Sequence, residues 1–112
     1  MADFYKLDAA TIDQVITRKS AGVYALDRTT TPGFTVNYVG RADDDVAGRL
    51  KAWEANGKYQ YFQFEYHTSA KAAFERECQL YHMYPNLDNL IHPARPANTY
   101  YSCPVVGCRA LS

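Results

Sequence analysis

The chain has no net charge: twelve lysines and arginines balance twelve aspartates and glutamates over 112 residues. Nucleic-acid binders usually show a basic patch, so strong intrinsic affinity for a phosphate backbone is not expected. No apolar run approaches the roughly 20 residues of a membrane span, which argues against a membrane partner. The first residues, Met1-Ala2-Asp3-Phe4-Tyr5-Lys6, lack the basic-then-apolar pattern of a signal peptide. Cysteine is scarce and odd in number, three in all, so no disulfide framework is expected and a reducing cytoplasm is the default compartment. Repeats and linkers are absent. So are a Ser/His/Asp set and a two-His-one-carboxylate signature, which leaves a small-molecule hydrolase or hydroxylase without a constellation.

What is present suits one folded domain over 1–112. Hydrophobic residues make up 47% and there are ten tyrosines, too many for a disordered chain. Asp8 can cap a helix over 8–18 with Ile12, Val15 and Ile16 on one face. Strands are expected at about 21–27 and 34–39, joined by the breaker cluster Thr29-Thr30-Thr31-Pro32-Gly33, so Tyr24 and Tyr38 stand on neighbouring strands. Asp44 or Asp45 caps a helix carrying Val46, Leu50 and Trp53, which stops near Asn56-Gly57. Tyr59 to Tyr66 reads as a third, aromatic-rich strand. Thr68 or Ser69 then caps a helix that Pro85 ends near Tyr84. The expected fold is α+β: a small, mainly antiparallel three-stranded sheet flanked by helices, in the order β-β-α-β-α. Its core covers about 20–90, and an irregular proline-containing segment follows over 91–112.

Two residues draw attention on physical grounds. At 100° per residue, Ala70, Ala73, Phe74, Leu80, Tyr81 and Tyr84 share a helix face, and Glu77 falls in its middle. A carboxylate there must be paired or bound to a cation; the pairing candidates are Arg41 and Arg49. Arg49 lies beside the Val46/Leu50/Trp53 stripe. Its guanidinium either grips a phosphate toward the sheet, or its stem snorkels along the core edge.

The order of these parts resembles the GIY-YIG nuclease family. The matching pieces are Gly22-Val23-Tyr24, Tyr38-Val39-Gly40-Arg41, Arg49-Leu50, Glu77 within Ala72 to Glu77, and Tyr84-Pro85-Asn86-Leu87-Asp88-Asn89, together covering roughly 20–90. The resemblance implies a GIY-YIG-like fold and a divalent-metal-dependent endonuclease that hydrolyses phosphodiester bonds in nucleic acid, DNA above all. It makes Tyr24, Tyr38, Arg41, Arg49, Glu77 and Asn89 the catalytic set. Glu77 would hold one Mg²⁺ or Mn²⁺ with waters and substrate oxygens, Arg41 and Arg49 would hold the phosphate, and Asn89 would brace the site. A tyrosine activates the attacking water, Tyr24 in preference to Tyr38, helped toward phenolate by nearby cations. The first five side chains are expected on one concave face of the sheet.

One turn after Arg49, relatives commonly carry His or Tyr where this chain has Trp53, whose indole cannot accept or relay a proton. Trp53 is therefore expected to be a core anchor beside Val46 and Leu50. Asp43, Asp44 and Asp45 also follow Arg41, where a phosphate backbone would pass. These features sustain the alternative: a weakened or inactive module of the same fold that binds nucleic acid or a protein partner. Cys103-Pro104-Val105-Val106-Gly107-Cys108 resembles a loosened zinc knuckle, but C-x₄-C is half a site. His67, His82 and His92 are scattered along the chain, with His82 on an outward helix face, so the sequence argues against structural zinc at Cys103/Cys108.

Overall fold

The computed structural model describes residues 3–29 and 33–108. In chain order the elements are β1 (Tyr5–Lys6), α1 (Ala9–Val15), β2 (Gly22–Asp27), β3 (Tyr38–Ala42), α2 (Val46–Asn56), β4 (Tyr61–Tyr66) and α3 (Ala70–Met83). Three side chains start the helices by accepting from orphan backbone N–H groups. Asp8 takes Thr11 N at 2.7 Å, Asp45 takes Gly48 N at 3.1 Å and Ser69 takes Ala72 N at 3.1 Å. Gly57 closes α2 in the left-handed conformation, φ 79°, which an L side chain rarely adopts.

The fold is α+β, but the sheet has four strands rather than three, in the order β1-β4-β2-β3 with every neighbour antiparallel. The added strand, Tyr5–Lys6, is too short to show a periodicity and exists because β4 offers it an edge. β3 also departs from its expected place. It begins at Tyr38 because Asn37 and Thr35 serve the turn instead: Asn37 Oδ1 accepts from Arg28 N at 2.9 Å and Asp27 accepts from Thr35 N at 3.1 Å. The tip of the breaker cluster, 30–32, lies outside the described residues. The first helix is shorter than 8–18, ending at Val15.

Residue parity divides the sheet. Tyr24, Leu26, Ala42 and Phe62 pack on one face with Ile12 of α1 and Val46 and Leu50 of α2; Val23, Ala25 and Val39 pack on the other with Ala73 and Leu80 of α3. Both motif glycines are demanded by close approach. A Cβ on Gly22 would lie 2.5 Å from the Glu65 carbonyl oxygen on β4, and one on Gly40 would lie 2.5 Å from Cζ and Oη of Tyr24. Gly40 is therefore not a strand breaker. It is the bare patch of β3 over which the Tyr24 ring lies, and the strand runs on to Ala42.

β3 is an edge strand, and the segment after α3 covers part of its rim. Asn89 Oδ1 accepts from Val39 N at 3.0 Å while Asn89 Nδ2 donates to Val39 O at 2.8 Å, and Asp88 N donates to Asn37 O at 2.6 Å. One side chain thus satisfies both backbone groups of Val39, as a further strand would. Among the described residues no helix is long and apolar enough to cross a membrane.

Gly40→Ala should destabilise the chain by about 1–3 kcal/mol through overpacking, read from urea unfolding. In a Tyr24→Ala background most of that penalty should vanish; equal penalties in both backgrounds would mean that the Tyr24 ring is not the obstacle.

Candidate active site

A cavity of about 580 Å³ opens at the β3 edge, lined by Tyr24, Tyr38, Gly40, Arg41, Arg49 and Glu77 together with Asp43, Asp44, Asp45 and Ala94. The sequence placed these five side chains on one concave face of the sheet; they do line one cavity, but they are rooted on two faces. Tyr24 belongs to the α2 face, whereas Arg41 pairs across from Val23 on the α3 face, where Glu77 lies. They meet because β3 has no outer neighbour at this end and Gly40 has no side chain, so groups rooted on opposite faces reach around a strand edge.

Glu77 is 8% exposed and is held by Arg41, whose Nη1 donates to Glu77 Oε1 at 2.8 Å. The partner is Arg41 rather than Arg49. The same guanidinium donates to Asp43 Oδ1 at 2.6 Å and to the Ala94 carbonyl at 2.6 Å, and lies 5.3 Å from the Phe74 ring centroid. Burial raises the Glu77 carboxyl above its ordinary range, and Arg41 only partly offsets this. Glu77 lines the cavity, and the bond from Arg41 is the one hydrogen bond its carboxylate accepts among the described residues.

Tyr24 is 2% exposed and its Oη accepts from Trp53 Nε1–H at 2.8 Å. Burial pushes its hydroxyl up to about 12, although the indole bond pulls the other way. The cations near it do not carry it toward phenolate; at neutral pH Tyr24 keeps its proton. Since the indole already occupies an acceptor position on Oη, that proton is free to be donated elsewhere. Tyr38 is less buried and is raised by the same cause. Trp53 does pack against the core, but its ring sits against Tyr38 and Tyr59, with centroids at 4.7 and 5.4 Å, so it also frames the tyrosine pair.

Arg49 is exposed at the cavity wall and makes no hydrogen bond or ion pair among the described residues. It is the guanidinium available for an incoming anion, whereas Arg41 is committed to internal partners. Asn89 does not line the cavity; its bonds to Val39 fix the strand that carries Tyr38 and Arg41. Of the acidic run, Asp45 caps α2 and Asp43 pairs with Arg41. The lining counts four acids, Asp43, Asp44, Asp45 and Glu77, against two arginines. Glu77 can hold a hydrated Mg²⁺ or Mn²⁺ as a lone carboxylate, in the way Mg²⁺ usually keeps several waters. Among the described residues these acids do not form a cage, because no three of their ligand atoms come together.

Two ligand-bearing residues missed from sequence join two already singled out, elsewhere in the molecule. His82, His92, Cys103 and Cys108 bring one ligand atom each to within 4.8 Å of one another. The C-x₄-C pair was visible; its histidine partners were not, because they lie on α3 and on an irregular segment at no regular spacing.

Comparisons with family models, curated proteins and solved structures returned no match to this chain.

A carboxyl that ionises less readily in the folded chain than in the unfolded one keeps its proton on folding, so stability falls as pH rises through and above the ordinary glutamate range. Metal-free wild type should therefore lose stability relative to Glu77→Gln between about pH 4 and 7, measured as urea midpoints. A relative gain over that window would mean that the Arg41 ion pair dominates burial.

Proposed function

We propose that this chain is a GIY-YIG-type nuclease that hydrolyses phosphodiester bonds with the help of one divalent ion. The observation that carries the reading is the meeting of Tyr24, Tyr38, Arg41, Arg49 and Glu77, drawn from four elements, in one cavity at a strand edge. Arg49 would grip the substrate phosphate and offset the charge that develops on its oxygens. Tyr24, neutral and donor-capable, would hydrogen-bond a phosphate oxygen. Tyr38 is the better placed of the two to take the proton of the attacking water, since it is less buried; burial raises its hydroxyl as well, so it would act as phenolate once Arg49 and a bound cation favour that form. Arg41 would hold Glu77 in position, and Asn89 would hold β3. Mg²⁺ or Mn²⁺ on Glu77 would supply a lowered pKa for bound water and stabilisation of the leaving oxygen. The excess of acids over arginines in the lining fits a site that attracts phosphate only once a cation is present, and DNA is then held weakly by this domain alone.

One observation favours a second reading. The Arg41–Glu77–Asp43 network is satisfied without any ion, as in a module that keeps the fold and binds nucleic acid or protein without cleaving it.

Nicking of supercoiled plasmid in Mg²⁺ or Mn²⁺ separates the two. The nuclease should convert plasmid to the nicked form, and Glu77→Ala and Arg49→Ala should each slow it roughly 10²–10³-fold. Tyr38→Phe should slow it more than Tyr24→Phe. If the folded wild type binds labelled DNA but never nicks it at any metal concentration, the binding module is the correct reading.

A further inference from the structure

The segment after α3 contains no helix or strand over 84–108, yet it supplies Asn89 to Val39 and the Ala94 carbonyl to Arg41. An irregular chain of this length is expensive to order unless something fastens its far end. The cluster of His82, His92, Cys103 and Cys108 lies between the last turn of α3 and that far end.

We propose that these four residues form a structural zinc site that pins the C-terminal segment to α3. The proposal does not depend on the nuclease reading. Two thiols and two imidazoles are the donor set that selects tetrahedral Zn²⁺, and four protein ligands leave no open position for chemistry. Cys108 Sγ lies 3.4 Å from His92 Nε2. Zn–S and Zn–N bonds of about 2.3 and 2.0–2.1 Å at a tetrahedral angle put sulfur and nitrogen about 3.5 Å apart, so this pair already stands at the separation of two ligands on one ion.

The second, independent observation is the orientation of His92. Its Nδ1 lies 2.9 Å from the Pro93 carbonyl oxygen. A carbonyl can only accept, so Nδ1 carries the proton and Nε2 turns a lone pair toward the cluster, the second-shell arrangement that metal-ligating histidines use. Pro93 is buried, and the Tyr81 ring stands edge-on to both imidazoles at 5.4 and 5.4 Å, which limits their rotation. The cysteines are brought together by a turn in which Cys108 N donates to Val105 O at 3.1 Å and Gly107 sits at φ 88°. On binding, Cys103 and Cys108 become thiolates and each releases its proton to solvent. Cys78, buried on α3, hydrogen-bonds Cys103 but is not among the four, so its substitution tests whether the ligand set is the one proposed.

The test uses the full chain, reduced and stripped of metal. Co²⁺ titration should give the intense visible bands of a tetrahedral ion with thiolate ligands, saturating at one equivalent and bleached by Zn²⁺. Zinc should raise the melting temperature, and a chelator should reverse that. Cys103→Ser, Cys108→Ser and His92→Ala should each abolish the bands, while Cys78→Ser should keep them. The wild-type spectrum stands whether or not a variant folds. The proposal is overturned if wild type gives only the weak bands of six-coordinate cobalt, or if Cys78→Ser abolishes binding while Cys103→Ser retains it. It is equally overturned if intact mass under non-reducing conditions shows a disulfide among the three cysteines in freshly isolated protein.

Discussion

The Arg41 guanidinium is the joint on which this structure turns. It reaches Glu77 on α3, Asp43 at the start of the next loop, Ala94 in the C-terminal segment and the face of Phe74. Those partners come from a helix, a loop and the C-terminal segment, so one planar cation with several fixed donors ties the strand edge, a helix and the tail together. Glu77 can remain largely buried only because this partner is there, since an unpaired carboxylate in that position would be strongly unfavourable. The interaction also divides the labour between the arginines. Arg41 is committed internally and Arg49 is left open to the cavity.

The edge location accounts for the form of the site. A sheet interior would place Tyr24 and Glu77 on opposite faces with the strand between them. At β3, which has β2 on one side and no strand on the other, the cavity wraps around Gly40, and the absence of a Cβ there clears the passage. An edge strand exposes unpaired backbone groups, and here Asn89 caps those of Val39. Structural support and site geometry thus share the same residues, and the tail that provides the cap ends in the His/Cys cluster.

Burial sets the electrostatic character of the cavity. It keeps Tyr24 protonated and Glu77 harder to ionise than an exposed glutamate, and both effects weaken in the presence of a cation. The four acids around two arginines work in the same direction. The Trp53 indole also occupies an acceptor position of the buried Tyr24 hydroxyl.

Much of the fold was legible in the sequence because the signals were local. Asp8, Asp45 and Ser69 cap helices through bonds to residues three positions on, Gly57 ends α2, and the alternating aromatics of β4 mark a strand, all set by neighbours along the chain. Glu77 was legible because helical periodicity placed it among apolar residues. The strand β1 was not, since two residues pair only when β4 is already there. The start of β3 was not, since Asn37 and Thr35 were claimed by partners eight or nine residues away. Local signals along the chain were enough to locate three helices and three of the four strands, with α1 and β3 off at their ends, and to single out the polar residues that had to find partners. Folding in three dimensions was needed to give Arg41 to Glu77, to bond the Trp53 indole to Tyr24, and to bring two histidines to two cysteines. Those are through-space pairings between segments far apart in the chain, and side-chain spacing along a sequence carries no record of them.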